Sequence, residues 1–306
     1  MKSWVYTFSI LIMLIGNVLA QNTTPTPVPT QRGGQNPNAT QTPRQDNRGI
    51  NAAFDNLRSV ELQKNAPKNF ETIVTQQIQP LYRKPSKKEL KNLLPSEPIL
   101  TQYDTFLKQS ETGIFKLSAD SNCAVNPQVI VATEKCLSND IPGAGTAFSF
   151  RVNSHRMLHL SDLVLEKNVI RTGSLMQQGV LVNLGDIDLD KVTTQTPGLK
   201  YLLEFKAVTT NEELASIEEN LSKGVKSDGF IYSYGLYIKE NTTFALRSIA
   251  YRGKFERAVS GVKYNEMDYD KRKDIIVVFR VVEKDANGDL TIIWKEVSEK
   301  ESPKIK

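Results

Sequence analysis

The stretch S-H-R-M-L-H-L-S-D, residues 154–162, holds the only two histidines of a 306-residue chain, His155 and His159. On a helix, residues four apart share a face. His155, His159 and Asp162 would then line up, with Glu166 a turn further, giving the donor types of a metal stripe or an imidazole base beside a carboxylate. On a strand the two histidines would sit about 13 Å apart, too far to hold one ion. Met157, Leu160, Val164 and Leu165 fit a helix. Phe148, Phe150 and Val152 just upstream, and the alternation of Leu158 with Leu160 and Leu163 with Leu165, fit strands. The spacing also lacks the internal glutamate of H-E-x-x-H. Packing or surface roles fit both imidazoles with fewer assumptions, and His155 and His159 are carried forward only as candidates.

Acidic side chains offer a second route to chemistry. Asp186, Asp188 and Asp190 alternate in G-D-I-D-L-D, as at the opening of a calcium loop. Lys191 then stands where glycine is required, and Pro197 where the closing glutamate should be. Asp285, Asn287 and Asp289 have similar spacing, but Asn287-Gly288 reads better as a hairpin turn. A hydrolase needs only two carboxylates at a suitable separation. Two or more of them converging in a deep cleft would favour an enzyme, whereas a shallow basic or aromatic face would favour binding. Serine chemistry finds less support. No G-x-S-x-G elbow is present, and the S-x-x-K at Ser260–Lys263 follows the loosely matching R-T-G at 171–173, the reverse of the penicillin-binding order.

Composition bounds the setting. Lys2, an apolar run from Val5 to Ile15 and Val18-Leu19-Ala20 before Gln21 make residues 1–20 an expected signal peptide. The run is too short to span a bilayer, and no later run is long enough, so no transmembrane span is expected in the mature chain. No cysteine stands at the cleavage point to take a lipid. Residues 21–49 carry one Val and one Ala as their only apolar side chains and read as a disordered Pro/Thr/Gln-rich tether. Setting aside Lys2, Arg32, Arg44 and Arg48 from 39 basic residues, and Asp46 from 34 acidic ones, leaves 35 against 33. That near balance, with export, disfavours nucleic acid as a partner. In an oxidising compartment Cys123 and Cys136 most simply form one disulfide. Zinc would need two more ligands, a redox pair favours C-x-x-C, and two buried free thiols are the third alternative.

Periodicity places the elements. Phe70, Ile73, Val74, Ile78 and Leu81 make a helical stripe with Pro80 as its stop. Ser86-Lys87-Lys88-Glu89 is a capping box ahead of Leu90, Leu93 and Leu94, and Ile99 to Leu107 form a third stripe. Strands are expected at 129–132, 147–152, 180–184, 201–208, 230–238, 243–251, 275–282 and 290–297, with one helix inserted after Thr210. The expected fold class is α+β: a helical N-terminal subregion (50–112) packed on a mainly antiparallel β-rich domain (113–302). Tyr232, Tyr234, Arg247 and Tyr251 suit packing or recognition. Arg83, Lys84, Lys87, Lys88 and Lys91, set against Glu89, form a basic cluster that a solvated helix face explains with fewer assumptions and that could also meet an anionic envelope surface or extracellular polymer. Together these features point to a secreted or periplasmic protein that binds or braces something at the cell envelope or outside it, without catalysis. No cofactor is expected. The alternative is a secreted hydrolase using paired carboxylates, with or without a divalent ion.

Overall fold

A computed structural model describes residues 69–119, 145–173 and 176–305. The expected signal peptide, the tether, the start of the helical region, the strand at 129–132 and the Cys123–Cys136 loop all lie outside those residues.

The described chain begins with short helices. α1 (Phe70–Ile73), a π turn (Val74–Ile78) and α2 (Gln79–Tyr82) run end to end, burying Ile73, Ile78 and Tyr82. This helix continues two residues past Pro80, where the sequence points to a stop. The wider π turn lets the proline fall in the first turn of a fresh α segment, where its missing N–H costs nothing. The Ser86 box forms as expected: Ser86 N–H and Oγ–H donate to Glu89 Oε2 at 2.6 and 2.7 Å, and Glu89 N–H donates back at 3.3 Å. It opens a 3-10 turn (Glu89–Leu93), since Pro95 leaves too little chain to nucleate an α-helix. α3 (Glu97–Gln102) and α4 (Asp104–Leu107) follow, and Phe106 is buried.

Beyond them the chain is β-rich. β1 (Thr112–Leu117), β2 (Ala147–Ser149), β3 (Ser154–His155), β4 (Leu163–Glu166), β5 (Val169–Arg171) and β6 (Gln177–Gly185) precede α5 (Leu199–Glu204) and α6 (Asn211–Lys223). β7 (Val225–Ser227), β8 (Phe230–Ser233), β9 (Gly235–Tyr237), β10 (Thr242–Ala250), β11 (Glu256–Val259), β12 (Val262–Asn265), β13 (Lys273–Lys284) and β14 (Leu290–Glu301) complete the order. Among the described residues every pair of these strands is antiparallel. One sheet runs β1-β14-β13-β10-β6-β8-β7, a second β3-β2-β4-β5-β9, and β11-β12 is a separate hairpin.

The strand period of two distributes side chains to two cores. Ile275, Val277, Phe279 and Val281 of β13 face the five-stranded sheet through Phe148, Leu163, Leu165 and Ile170. Ile276 and Val278 face the opposite way, onto Leu199, Leu202, Leu221 and Phe106 from the helices. A strand buried on both faces can read as a continuous apolar run, which is why Ile275–Phe279 of β13 stands out in the sequence. A third cluster joins Ile73, Ile78 and Tyr82 to Met157, Leu160 and Val262. The β13–β14 turn is the expected hairpin: Gly288 takes φ 88°, and Asp285 Oδ1 accepts the Asn287 and Asp289 N–H groups at 2.9 Å each.

Residues 201–208 depart from the strand expectation. Gly198, at φ 92°, turns the chain into α5, and Leu199 and Leu202 then bury together three residues apart. Short apolar runs satisfy either period, and here tertiary burial decides. α6 forms as expected, with Glu213 N–H donating to Thr210 Oγ1 at 3.3 Å and Gly224 closing it at φ 81°. Thr210→Ala should cost about 1 kcal/mol in urea denaturation, and Thr210→Ser should recover most of it.

Candidate functional site

The structure separates the two histidines. His155 lies on β3 and His159 in a 3-10 turn (Leu158–Leu160), so the face shared on a helix never forms. The His155 ring meets Phe148 and Phe115 edge-on at 5.5 and 6.4 Å, and its Nδ1 lies 3.1 Å from the Ala147 carbonyl, a partner that fixes Nδ1 as the protonated nitrogen. Burial pushes this imidazole down to about 4, the carbonyl opposing only weakly. It is a neutral core residue.

His159 points to Glu266 instead, with Nε2 3.0 Å from Oε1. The same oxygen receives Tyr82 Oη at 2.7 Å and Arg257 Nη1 at 2.8 Å. A carboxylate only accepts, so Nε2 carries the proton, and Tyr82 in turn accepts from Tyr264 Oη at 2.8 Å. Burial would raise the Glu266 carboxyl, but the His159 hydrogen bond, the His159 and Arg257 charges and the Tyr82 hydroxyl hold it below its ordinary value. Tyr269 stacks on Tyr82 at 4.7 Å. Glu266 is fully buried, and this hub ties α2 to the β11–β12 hairpin. Neither Glu266 nor Arg257 carried a sequence motif, which is why the pairing was not foreseen.

Asp162 anchors a second buried network. Its Oδ1 accepts from Arg151 Nε (2.8 Å), Gln177 Nε2 (2.8 Å) and Ser248 Oγ (2.6 Å), and its Oδ2 from Ser149 Oγ (2.8 Å). Arg151 continues to Asp270 at 2.6 Å and to the Lys271 carbonyl, and Arg272 reaches the same Asp270 oxygen at 2.8 Å. The Arg151, Asp162 and Asp270 side chains are 0% exposed. Burial acts against the Asp162 charge, yet Arg151 and the donors around it keep the carboxyl below its ordinary value. Glu166, the fourth member of the imagined stripe, pairs with Arg171 at 2.7 Å.

The alternate aspartates also disperse. Asp186 pairs with Arg280 at 2.7 Å, Asp188 with Lys191 at 2.9 Å, and Asp190 is exposed. Among the described residues no group of three or more His, Cys, Asp or Glu side chains is placed to hold a metal ion, and no helix is long and apolar enough to cross a membrane.

Carboxylates do converge elsewhere. A half-open cleft of about 440 Å³ lies between the Phe150–Asn153 turn and the β1–β14 pair. Glu111, Glu296 and Glu299 line it with Lys84, Lys271 and Trp294. Glu296 is raised first by burial and then by the negative charges of Glu299 and Glu111, with Lys271 and Lys273 pulling the other way. Trp294 lies across Gly113, where a Cβ would stand 2.5 Å from the indole Nε1. Glu111 and Asn153 hold left-handed backbone, at φ 55° and 46°. Alongside runs the basic segment. Arg83 pairs with Glu89, whereas Lys84, Lys87, Lys88 and Lys91 are exposed and have no ion pair among the described residues. Leu94, just beyond, is 54% exposed.

Comparison with family models, with curated proteins and with solved structures finds no match to this chain.

Proposed function

We propose that this is an exported, non-catalytic binding protein that meets an anionic surface of the cell envelope through residues 83–94. Export rests on residues 1–20, and the tether at 21–49 would give the folded part reach. The helical N-terminal subregion serves in this reading to carry the basic segment. The observation behind the binding surface is the set of four exposed lysines, Lys84, Lys87, Lys88 and Lys91, unpaired among the described residues and followed by exposed Leu94. Each basic side chain near an anionic surface contributes about 1 kcal/mol, and an adjoining apolar side chain adds to it.

Co-sedimentation of the mature chain with vesicles containing phosphatidylglycerol, against vesicles of phosphatidylcholine alone, tests this surface. Binding to the anionic vesicles should weaken with salt, and the Lys84→Glu, Lys87→Glu, Lys88→Glu, Lys91→Glu variant should lose it by more than about a hundredfold. A variant that binds like the native chain would contradict the proposal.

A hydrolase is the second reading, favoured by Glu296 beside Glu299 and Glu111 in the cleft. A carboxyl raised by burial and like charge can donate a proton while a neighbouring carboxylate activates water. Hydrolysis of an envelope polymer, lost in Glu296→Gln but retained when only Lys87, Lys88 and Lys91, which stand outside the cleft, are changed to Glu, would replace the first reading with this one.

A further inference from the structure

The chain changes sheets at Tyr234. β8 pairs with β6 only at Leu181–Ser233 and Val182–Tyr232, and β9 then joins β5 in the other sheet. Among the described residues, 177–180 of β6 therefore have β10 along one edge and no strand along the other. The gap holds a cavity of about 300 Å³ lined by Thr172, Gln178, Gly179, Glu218, Leu221 and Tyr234.

Its polar groups lack the partners that buried groups normally have. Gln178 is 1% exposed; its Oε1 accepts from Tyr251 Oη at 3.0 Å, but Nε2 has no partner among the described residues. Thr172 is 5% exposed, lies where a Cβ on Gly179 would collide, and leaves its Oγ1 in the same state. Glu218 reaches in from α6, half-buried, with no ion pair or hydrogen bond among the described residues, and burial raises its carboxyl. Among the described residues, no lysine or arginine lines the cavity. Arg171, over the Tyr234 ring at 5.6 Å, is paired with Glu166.

We propose that this cavity binds a small molecule joining an apolar body to a protonated amine. The amine pairs with the Glu218 carboxylate and relieves its desolvation, the apolar body packs on Leu221 and the Tyr234 ring, and an oxygen on the ligand can accept from Gln178. This site stands apart from residues 83–94, so it succeeds or fails independently of surface binding.

Calorimetric titration of the full chain at neutral pH with benzylamine, benzyl alcohol and benzoate tests it. Benzylamine should bind saturably and at least about tenfold more tightly than benzyl alcohol, with benzoate weakest. Glu218→Gln, a near-isosteric change at a partly exposed position of α6, should bring amine and alcohol to equal affinity. No saturable benzylamine binding, equal binding of amine and alcohol to the native chain, or a preference surviving Glu218→Gln would each overturn the proposal.

Discussion

Asp162→Ala is expected to destabilise the protein by about 3–5 kcal/mol, the largest effect of any polar substitution considered. The carboxylate accepts from Ser149, Arg151, Gln177 and Ser248, side chains drawn from β2, the turn after it, β6 and β10. Its removal takes the acceptor from the buried Arg151 Nε and from the Ser149 and Ser248 hydroxyls, while Gln177 Nε2 still donates to Ser248 Oγ at 2.7 Å. Arg151 keeps Asp270, so the loss should be less than that of an isolated buried charge. Asp162→Asn, which preserves shape and part of the bonding, should fall in between. Urea denaturation at neutral pH measures all three chains, and a loss below about 1 kcal/mol for Asp162→Ala would show that the network is dispensable.

The second large effect is a pH dependence. Folded His155 titrates at about 4 against an ordinary 6.5, so between those values the unfolded chain binds more protons than the folded one. Stability is therefore full above 6.5 and drains as the pH falls towards 4, by about 3 kcal/mol in all. Glu266 and Asp162, held below their ordinary 4.5 and 3.8, add losses of the same sign as the pH falls through those values, below the range of the test. Glu218 and Glu296, held above 4.5, act with the opposite sign, favouring the folded state as the pH drops. The clean measurement is the difference between the native chain and His155→Asn. Urea midpoints at pH 7, 6 and 5 should converge as the native chain loses stability and the variant does not. Parallel pH profiles would contradict a neutral, buried His155.

Long strands and caps were legible because each repeats a local rule. β10, β13 and β14 are apolar runs or alternations longer than any turn, and the Ser86, Thr210 and Asn287-Gly288 signals each fix a boundary by short-range hydrogen bonding or a positive φ. The shorter elements were not. β3, β5, β7 and the β11–β12 hairpin have two to four residues each, too few to show a period, and their pairing is decided by strands distant in the chain. α5 failed because Leu199 and Leu202 obey helix spacing in a run equally good as strand.

Sites were harder still. The histidine spacing suggested a shared face, but spacing carries information only on a regular element, and residues 154–160 form a two-residue strand, a link and a 3-10 turn. The partners that define both histidines are far off: Glu266 lies 107 residues from His159, and Phe115 forty residues before His155. Glu111, Glu296 and Glu299 meet only because β1 pairs with β14, a contact between opposite ends of the described β region. Such long-range pairings leave no trace in local pattern.

The proposed function begins with passage out of the cytoplasm, and one measurement reaches it directly. Intact-mass analysis of the chain recovered from the exported fraction of an expressing cell should show a new N-terminus at Gln21 and a mass lacking residues 1–20. Recovery of the chain in the cytoplasm with Met1 retained would contradict export, and with it the proposed envelope partner.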